Sequence, residues 1–428
     1  MRFAVIADDL TGASDCSGQL IQFGLHVSVM IKPSSGLIQE RDVLVFNSDS
    51  RSLSGSGAYQ KVRDICDKIK GLPIDILYKK IDSTMRGNIG QELNAIKDVF
   101  QPDFVFIAPA YPQMGRQVID GIHYLNHTQI HETEFSTDPK TPVTESYIPK
   151  LIQCQSNQKT GLLSYRDLRK GITHVSDRLV GFKKENISYI VVDSIEDSDL
   201  ELFTQMVSQM KYSVIWTGSA CLMNYLPKAY GLESVNPEWS ISKSNTPVFL
   251  VIGSVSKVGR KQLSHLLLSK EAIGVELQSS AVIQDEMTKQ KEIERLKKEI
   301  KEAFLANRNV AFFSCGNVKE THEAGEKYGL NQVEISNEIS RILGQTAAQV
   351  IKECKVHHLF LTGGDTAYQV MDQLGVNEFQ VINEIEPGIP IGKLSNYEDM
   401  YAVTKAGNFG TVEVLSKAVH LLQGRINT

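Results

Sequence analysis

The sequence has no apolar run close to the roughly 18 residues that a membrane span requires. No membrane partner is expected. The N-terminal apolar run is cut by Asp8-Asp9 after a few residues, so a signal peptide is not expected either. Cysteine never occurs as a C-x-x-C pair: Cys16, Cys66, Cys154, Cys221, Cys315 and Cys354 are scattered, with no histidine at zinc-ligand spacing. That excludes a disulfide framework and a zinc cluster, and it predicts reduced thiols in a cytoplasmic protein. His357-His358 opens an apolar segment without a surrounding H-E-x-x-H and reads as structural. Neither charge dominates: 45 Lys and Arg against 50 Asp and Glu leave a net charge of −5, which gives no basic footprint for nucleic acid. A local Arg or Lys cluster could still bind a small anion. Internal repeats and low-complexity tracts are missing as well. So are the standard nucleotide fingerprints: no strand leads into G-x-G-x-x-G, and residues 253–261 lack the glycine spacing and the Lys-Ser/Thr of a P-loop.

What is present is an alternation of strand-like and helix-like segments. With 428 residues, of which 42% are hydrophobic, two domains with sizeable cores are the default. In the first half, apolar runs at 3–6, 27–30, 43–46, 76–80 and 104–107 read as strands. Helical periodicity falls between them, toward Gly24, over 58–69 and over 89–100. Residues 232–247 are polar with two prolines and read as a linker. The alternation restarts with strands at 248–252, 275–277, 310–313, 358–361 and 401–404 and helices from about 258, over 288–305 and near 335–354. This pattern predicts an α/β protein of two three-layer domains with mostly parallel sheets, 1–235 and 246–428, and an active site in the cleft between them.

The chemistry-bearing residues cluster where strands end. Phe3 to Ile6 leads into Ala7-Asp8-Asp9-Leu10-Thr11-Gly12-Ala13-Ser14-Asp15, and Leu359-Phe360 leads into Leu361-Thr362-Gly363-Gly364-Asp365-Thr366-Ala367. In an α/β sheet, ligands bind at such turns, where strand ends meet helix N-termini. Gly363-Gly364 lets backbone N–H groups approach a phosphate, and Thr366 is suited to capping the helix. Asp365 adds a carboxylate, which suits a divalent metal or a hydroxyl awaiting deprotonation. Glycine-bearing turns at Gly253-Ser254 and Gly407-Asn408-Phe409-Gly410 can converge with it on one nucleotide. In the first half, Asp8-Asp9, Asn47-Ser48-Asp49-Ser50-Arg51 and Lys80-Ile81-Asp82-Ser83-Thr84-Met85-Arg86 offer carboxylates for sugar hydroxyls and guanidinium forks for a carboxylate. Pro109 to Arg116 reads as a rigid loop bordering that site.

These segments, with Pro109-Ala110-Tyr111-Pro112 and Gly115-Arg116, occur in an order that resembles the four-carbon acid sugar kinase family over nearly the whole chain; Met85 stands where Leu is common. The resemblance implies that ATP and Mg²⁺ serve to phosphorylate the 4-hydroxyl of threonate, erythronate or 3-oxo-tetronate, with D-threonate the first choice. It implies that Asp9, Arg51, Lys80, Asp82, Ser83, Thr84 and Arg86 bind the acid. ATP would be held by Ser254, Gly363, Gly364, Asp365, Thr366, Gly407, Asn408, Phe409 and Gly410. Asp365 is the first candidate for the catalytic residue and Asp9 its rival; metal ligands and oligomeric state are not legible. A nucleotide sensor without catalysis would not need the polar N-terminal cluster, and a nicotinamide oxidoreductase would need the missing fingerprint.

Overall fold

The computed structural model describes residues 1–32, 41–138, 140–235 and 239–426. The chain divides into two compact units, one made of residues 1–25 and 40–236, the other of 26–39 and 237–428. Each is a three-layer α/β unit with a mostly parallel sheet. Of the expected linker 232–247, residues 236–238 lie outside the described residues, and the remainder carries no helix or strand.

The first unit is built on β1 (Phe3–Ala7), β3 (Val43–Asn47), β4 (Ile76–Lys80), β5 (Phe104–Ala108), β9 (Thr160–Leu163), β10 (Tyr189–Val192) and β11 (Val214–Gly218), while β2 (Val27–Met30) belongs to the second unit. The parallel order is β3-β1-β4-β11-β5-β10-β9. Every residue of β1, β3, β4 and β5 is buried, as a parallel sheet covered on both faces demands. Trp216 anchors the aromatic part of the core against Phe106 and Phe203. The register aligns Asn47, Ala7, Lys80, Gly218 and Ala108 in one row across the sheet. The turns leaving that row are therefore neighbours in space although far apart in sequence. The stretch 109–116, expected to be a rigid loop, leads into a small antiparallel sheet of β6 (Arg116–Ile119), β7 (Ile122–Leu125) and β8 (Thr128–Gln129).

The second unit repeats the device with β12 (Val248–Ile252), β13 (Ile273–Leu277), β14 (Val310–Ser314), β15 (His358–Thr362) and β18 (Tyr401–Lys405), parallel in the order β13-β14-β12-β15-β18. Here the aligned row is Phe313, Ile252, Thr362 and Lys405. Beyond β18 the sheet turns antiparallel through β17 (Ile389–Leu394) and β16 (Glu378–Glu386) to β2. The sequence expectation had put residues 27–30 in the first domain. In the structure their backbone pairs with Glu378 to Val381, the buried Ser28 hydroxyl donates to the Glu378 carboxylate, and Lys32 pairs with Asp372 at 2.7 Å. His358 is buried against the Thr246 hydroxyl at 3.1 Å, and burial pushes its pKa down to about 4, as a structural histidine requires. Among the described residues no helix is long and apolar enough to cross a membrane.

Candidate functional site

In the first unit, Asp9 caps the helix Leu10–Ile21, its Oδ1 accepting from the Gly12 amide at 2.7 Å. Its other oxygen accepts from Arg51 Nη1 at 2.6 Å. Arg51 also grips Asp8 in a fork, Nε to Oδ2 at 2.7 Å and Nη2 to Oδ1 at 2.9 Å. Arg51, expected to bind the acid, thus has three of its five N–H donors engaged by Asp8 and Asp9. Burial pushes the Asp8 carboxyl up, but Arg51, Lys79 and Lys80 together hold it below the usual range. For Asp9 burial wins over Arg51, and the pKa is raised.

The segment after β4 repeats this arrangement. Arg86 donates Nε and Nη2 to Asp82 at 2.7 and 3.2 Å and Nη1 to Asp138 at 3.0 Å, and its guanidinium lies over the Phe135 ring. The Thr84 hydroxyl donates to Asp82 as well. Burial is outweighed by Arg86 and Arg51, so Asp82 stays ionised well below the normal carboxylate range. Ser83 is half-buried between them. The two lysines that end β4 differ in kind. Lys79 is fully buried in a pair with Glu92 at 2.8 Å, whereas among the described residues the Lys80 ammonium makes a single bond, to the Ile81 carbonyl at 3.0 Å.

Two residues assigned no role from sequence belong to this cluster. Asp15, the sixth residue of the capped helix, is buried with Oδ1 unpartnered, and burial pushes its pKa up to about 6. Arg116, at the start of β6, has a buried Nε without a partner. A buried polar atom left unpaired is the signal that finds both, and it is visible only after folding.

In the second unit the glycines bring three turns together. Gly363 has φ +95, and a Cβ there would stand 3.3 Å from the Ser254 amide nitrogen. At Gly407 a Cβ would fall 2.2 Å from Ser254 Oγ. Gly363 is also the N-cap of the helix Gly364–Leu374 and offers no side chain, so the first amides of that helix have no cap. Asp365 is exposed in this first turn, and Thr366 is buried beneath it. The turn after β18 is held from inside. The buried Lys405 ammonium donates to the carbonyls of Ala406, Gly407 and Phe409 at 2.8, 3.1 and 3.1 Å, and Gln262 Nε2 donates to those of Phe409, Gly410 and Thr411. Ser256 Oγ adds a bond to the Gly407 carbonyl at 2.7 Å. With the carbonyls engaged inward, the amides of Gly407, Asn408 and Gly410 are left for an anion. The Phe409 ring packs on the apolar core, so what this residue can offer a ligand is backbone. Burial pushes the Lys405 pKa down to about 8.

One unit therefore presents carboxylates, cations and hydroxyls at its strand ends, and the other presents backbone amides at an uncapped helix. A polyol acid suits the first and a phosphate chain the second, which together define a phosphotransferase acting on a sugar acid. Residues 3–226 match the sugar-binding N-terminal domain family and residues 249–415 the nucleotide-binding C-terminal domain family. The chain is 30% identical over 432 residues to the D-threonate kinase of Salmonella typhimurium, covering 99% of both sequences. It is 28% identical over 420 residues to the 3-oxo-tetronate kinase of Actinobacillus succinogenes, covering 96% of this chain and 97% of the other. A crystal structure of a Haemophilus influenzae protein superposes with a TM-score of 0.74 at 27% identity, covering 98% of this chain and all of that one. The chain belongs to the four-carbon acid sugar kinase family, and it is a sugar-acid kinase.

Proposed function

We propose that the enzyme transfers the γ-phosphoryl group of ATP to the 4-hydroxyl of D-threonate. The observation that carries this reading is the pairing of an ion-paired polyol site in the first unit with uncapped amides in the second. Asp9, Lys80, Asp82, Ser83, Thr84 and the remaining N–H groups of Arg51 and Arg86 are the proposed partners of the acid. Ser254, Gly363, Gly364, Thr366 and the turn from Gly407 to Gly410 are the proposed nucleotide partners. Backbone amides at a helix N-terminus favour phosphate oxygens and carry no preference for the base.

Mg²⁺ fits this donor set. It keeps several waters and binds through phosphates with one or two carboxylates, so no protein cage is needed. Among the described residues no cluster of three or more candidate ligands occurs, and Asp365 is the exposed carboxylate built into the phosphate turn. When bound there, the ion would neutralise charge on the transferring phosphoryl group. Asp365 is proposed to hold it or to take the proton from the C4 hydroxyl. Asp9, whose two oxygens accept from the Gly12 amide and from Arg51, is the rival candidate. Free cysteines among the described residues support a reducing, cytoplasmic setting.

D-threonate is preferred to D-erythronate and 3-oxo-tetronate on the similarity to the Salmonella typhimurium enzyme. Incubating the protein with ATP, Mg²⁺ and each acid in turn, and locating phosphate by phosphorus NMR, tests the reading. Greatest kcat/KM with another of these acids would move the substrate, and no product from any would remove the activity.

A further inference from the structure

We propose that Arg116 is the residue that selects for a carboxylate on the substrate, gripping it with the Nε and Nη2 edge of its guanidinium; this rests on the sugar-acid kinase reading above.

The argument begins with the cations at the strand ends of the first unit. Lys79 is paired with Glu92, Arg51 with Asp8 and Asp9, and Arg86 with Asp82 and Asp138. Among the described residues of this cluster only Lys80 and Arg116 have no carboxylate at ion-pair distance. Lys80 is a nearly buried point charge already directed at a carbonyl. Arg116 donates from Nη1 to the Met114 carbonyl at 3.2 Å on the exposed side of the group, which leaves the Nε and Nη2 edge without a protein acceptor among the described residues. On that edge Nε is buried and unsatisfied. An unmade bond to a buried charged donor costs free energy, and a carboxylate accepting from Nε and Nη2 together would remove the cost while matching the fork.

The backbone beneath this edge is rigid. Arg116 and Tyr111 exchange both of their backbone hydrogen bonds, at 2.8 and 3.0 Å, and Val118 does the same with Ser194 at 3.0 and 3.1 Å. Burial lowers the pKa of Arg116, and of the charges it feels, Asp82 is already neutralised by Arg86. Asp15 lies within range of the same charge and has a free buried oxygen for a neighbouring hydroxyl. His123 nearby is buried with both ring nitrogens unpartnered, and burial together with the Arg116 charge pushes its pKa down to about 4, so it stays neutral and brings no second charge to the acid.

The test compares each preferred acid with the neutral polyol in which the C1 carboxylate is a hydroxymethyl group. Both are assayed by kcat/KM and by calorimetric binding, using wild type, Arg116→Met, Arg116→Lys and Lys80→Met. Arg116→Met should weaken the acid by about 10²-fold, as loss of a charge-assisted pair implies, and leave the polyol and the KM for ATP within about threefold. Arg116→Lys should restore part of the acid preference, because it keeps the charge without the fork. An unchanged acid preference in Arg116→Met, an equal loss for acid and polyol, or loss of the preference in Lys80→Met alone would overturn the proposal. Wild type that binds the acid without phosphorylating it would instead overturn the activity, and the binding comparison would still decide the role of Arg116.

Discussion

The two units end their strands in the same way and fill the ends with opposite chemistry. In the first, side chains are locked to one another: Asp8, Asp9 and Arg51 form one knot, Asp82, Arg86 and Asp138 a second. In the second, side chains such as Lys405, Gln262 and Ser256 are turned inward onto carbonyls, so that backbone amides are what the proposed nucleotide site would offer. A side-chain site can distinguish carboxylates and hydroxyls by geometry, which a choice among four-carbon acids demands. A backbone site recognises what is constant, a phosphate chain. The difference teaches where each unit is fragile: the first to a change of functional group, the second to any added bulk.

The sharpest break of this contrast is Gly363→Val. A branched side chain at φ +95, against the Ser254 amide, should disrupt the turn and forfeit two or more charge-assisted bonds. ATP affinity should fall by roughly 10²- to 10³-fold while acid affinity holds, and titration of each ligand in a calorimeter reads both. Unchanged ATP affinity in a folded variant would remove this turn from the site.

Asp365→Asn comes next, because it preserves volume and keeps a polar group at the helix start. Turnover should fall by about 10²-fold or more with little change in melting temperature. Activity that survives here but is lost in Asp9→Asn would shift the chemical role to the first unit.

A smaller effect is expected from Arg51→Lys, which keeps the charge but cannot hold Asp8 and Asp9 at once. The KM for the acid should rise by about tenfold and that for ATP stay level. Equal rises would mean that the knot merely braces the fold.

The mildest test is pH. Lys405 has a pKa lowered by burial to about 8, and its ammonium braces the phosphate turn. If ATP prefers the protonated form, affinity is constant below that pH and declines above it, at most about tenfold per unit. About fivefold is expected between the pKa and one pH unit above it. Lys405→Met should be weak already at neutral pH and show no such decline.

Much of this architecture was legible in the sequence, for a physical reason. Strands buried on both faces are short continuous apolar runs, and residues such as Phe3 to Ala7 or Val248 to Ile252 cannot be mistaken for surface. The turns after them stand out because Gly, Asp and Arg interrupt those runs abruptly. Arg51 shows the limit. Residue type announced a fork, but only the fold reveals that Asp8 and Asp9 already occupy most of it. Arg116 and Asp15 were invisible as site residues because what marks them is an absent partner. The antiparallel pair of β16 and β17 was missed because polar residues interrupt the partly buried β16, and Pro390 and Gly392 interrupt the short, largely buried β17.

The partnership of β2 with β16 bears on how the protein is made. Ser28 leaves the ribosome 350 residues ahead of Glu378, which at ordinary elongation rates is a delay of roughly 20 to 70 s. During that interval Val27–Met30 lacks its β16 partner and keeps an unpaired apolar edge, a condition that favours mispairing. For the same reason no single cut in the polypeptide yields two self-sufficient halves. A fragment beginning near residue 240 would expose the β16 edge to any other strand in solution, and supplying residues 26–32 in trans should restore its solubility.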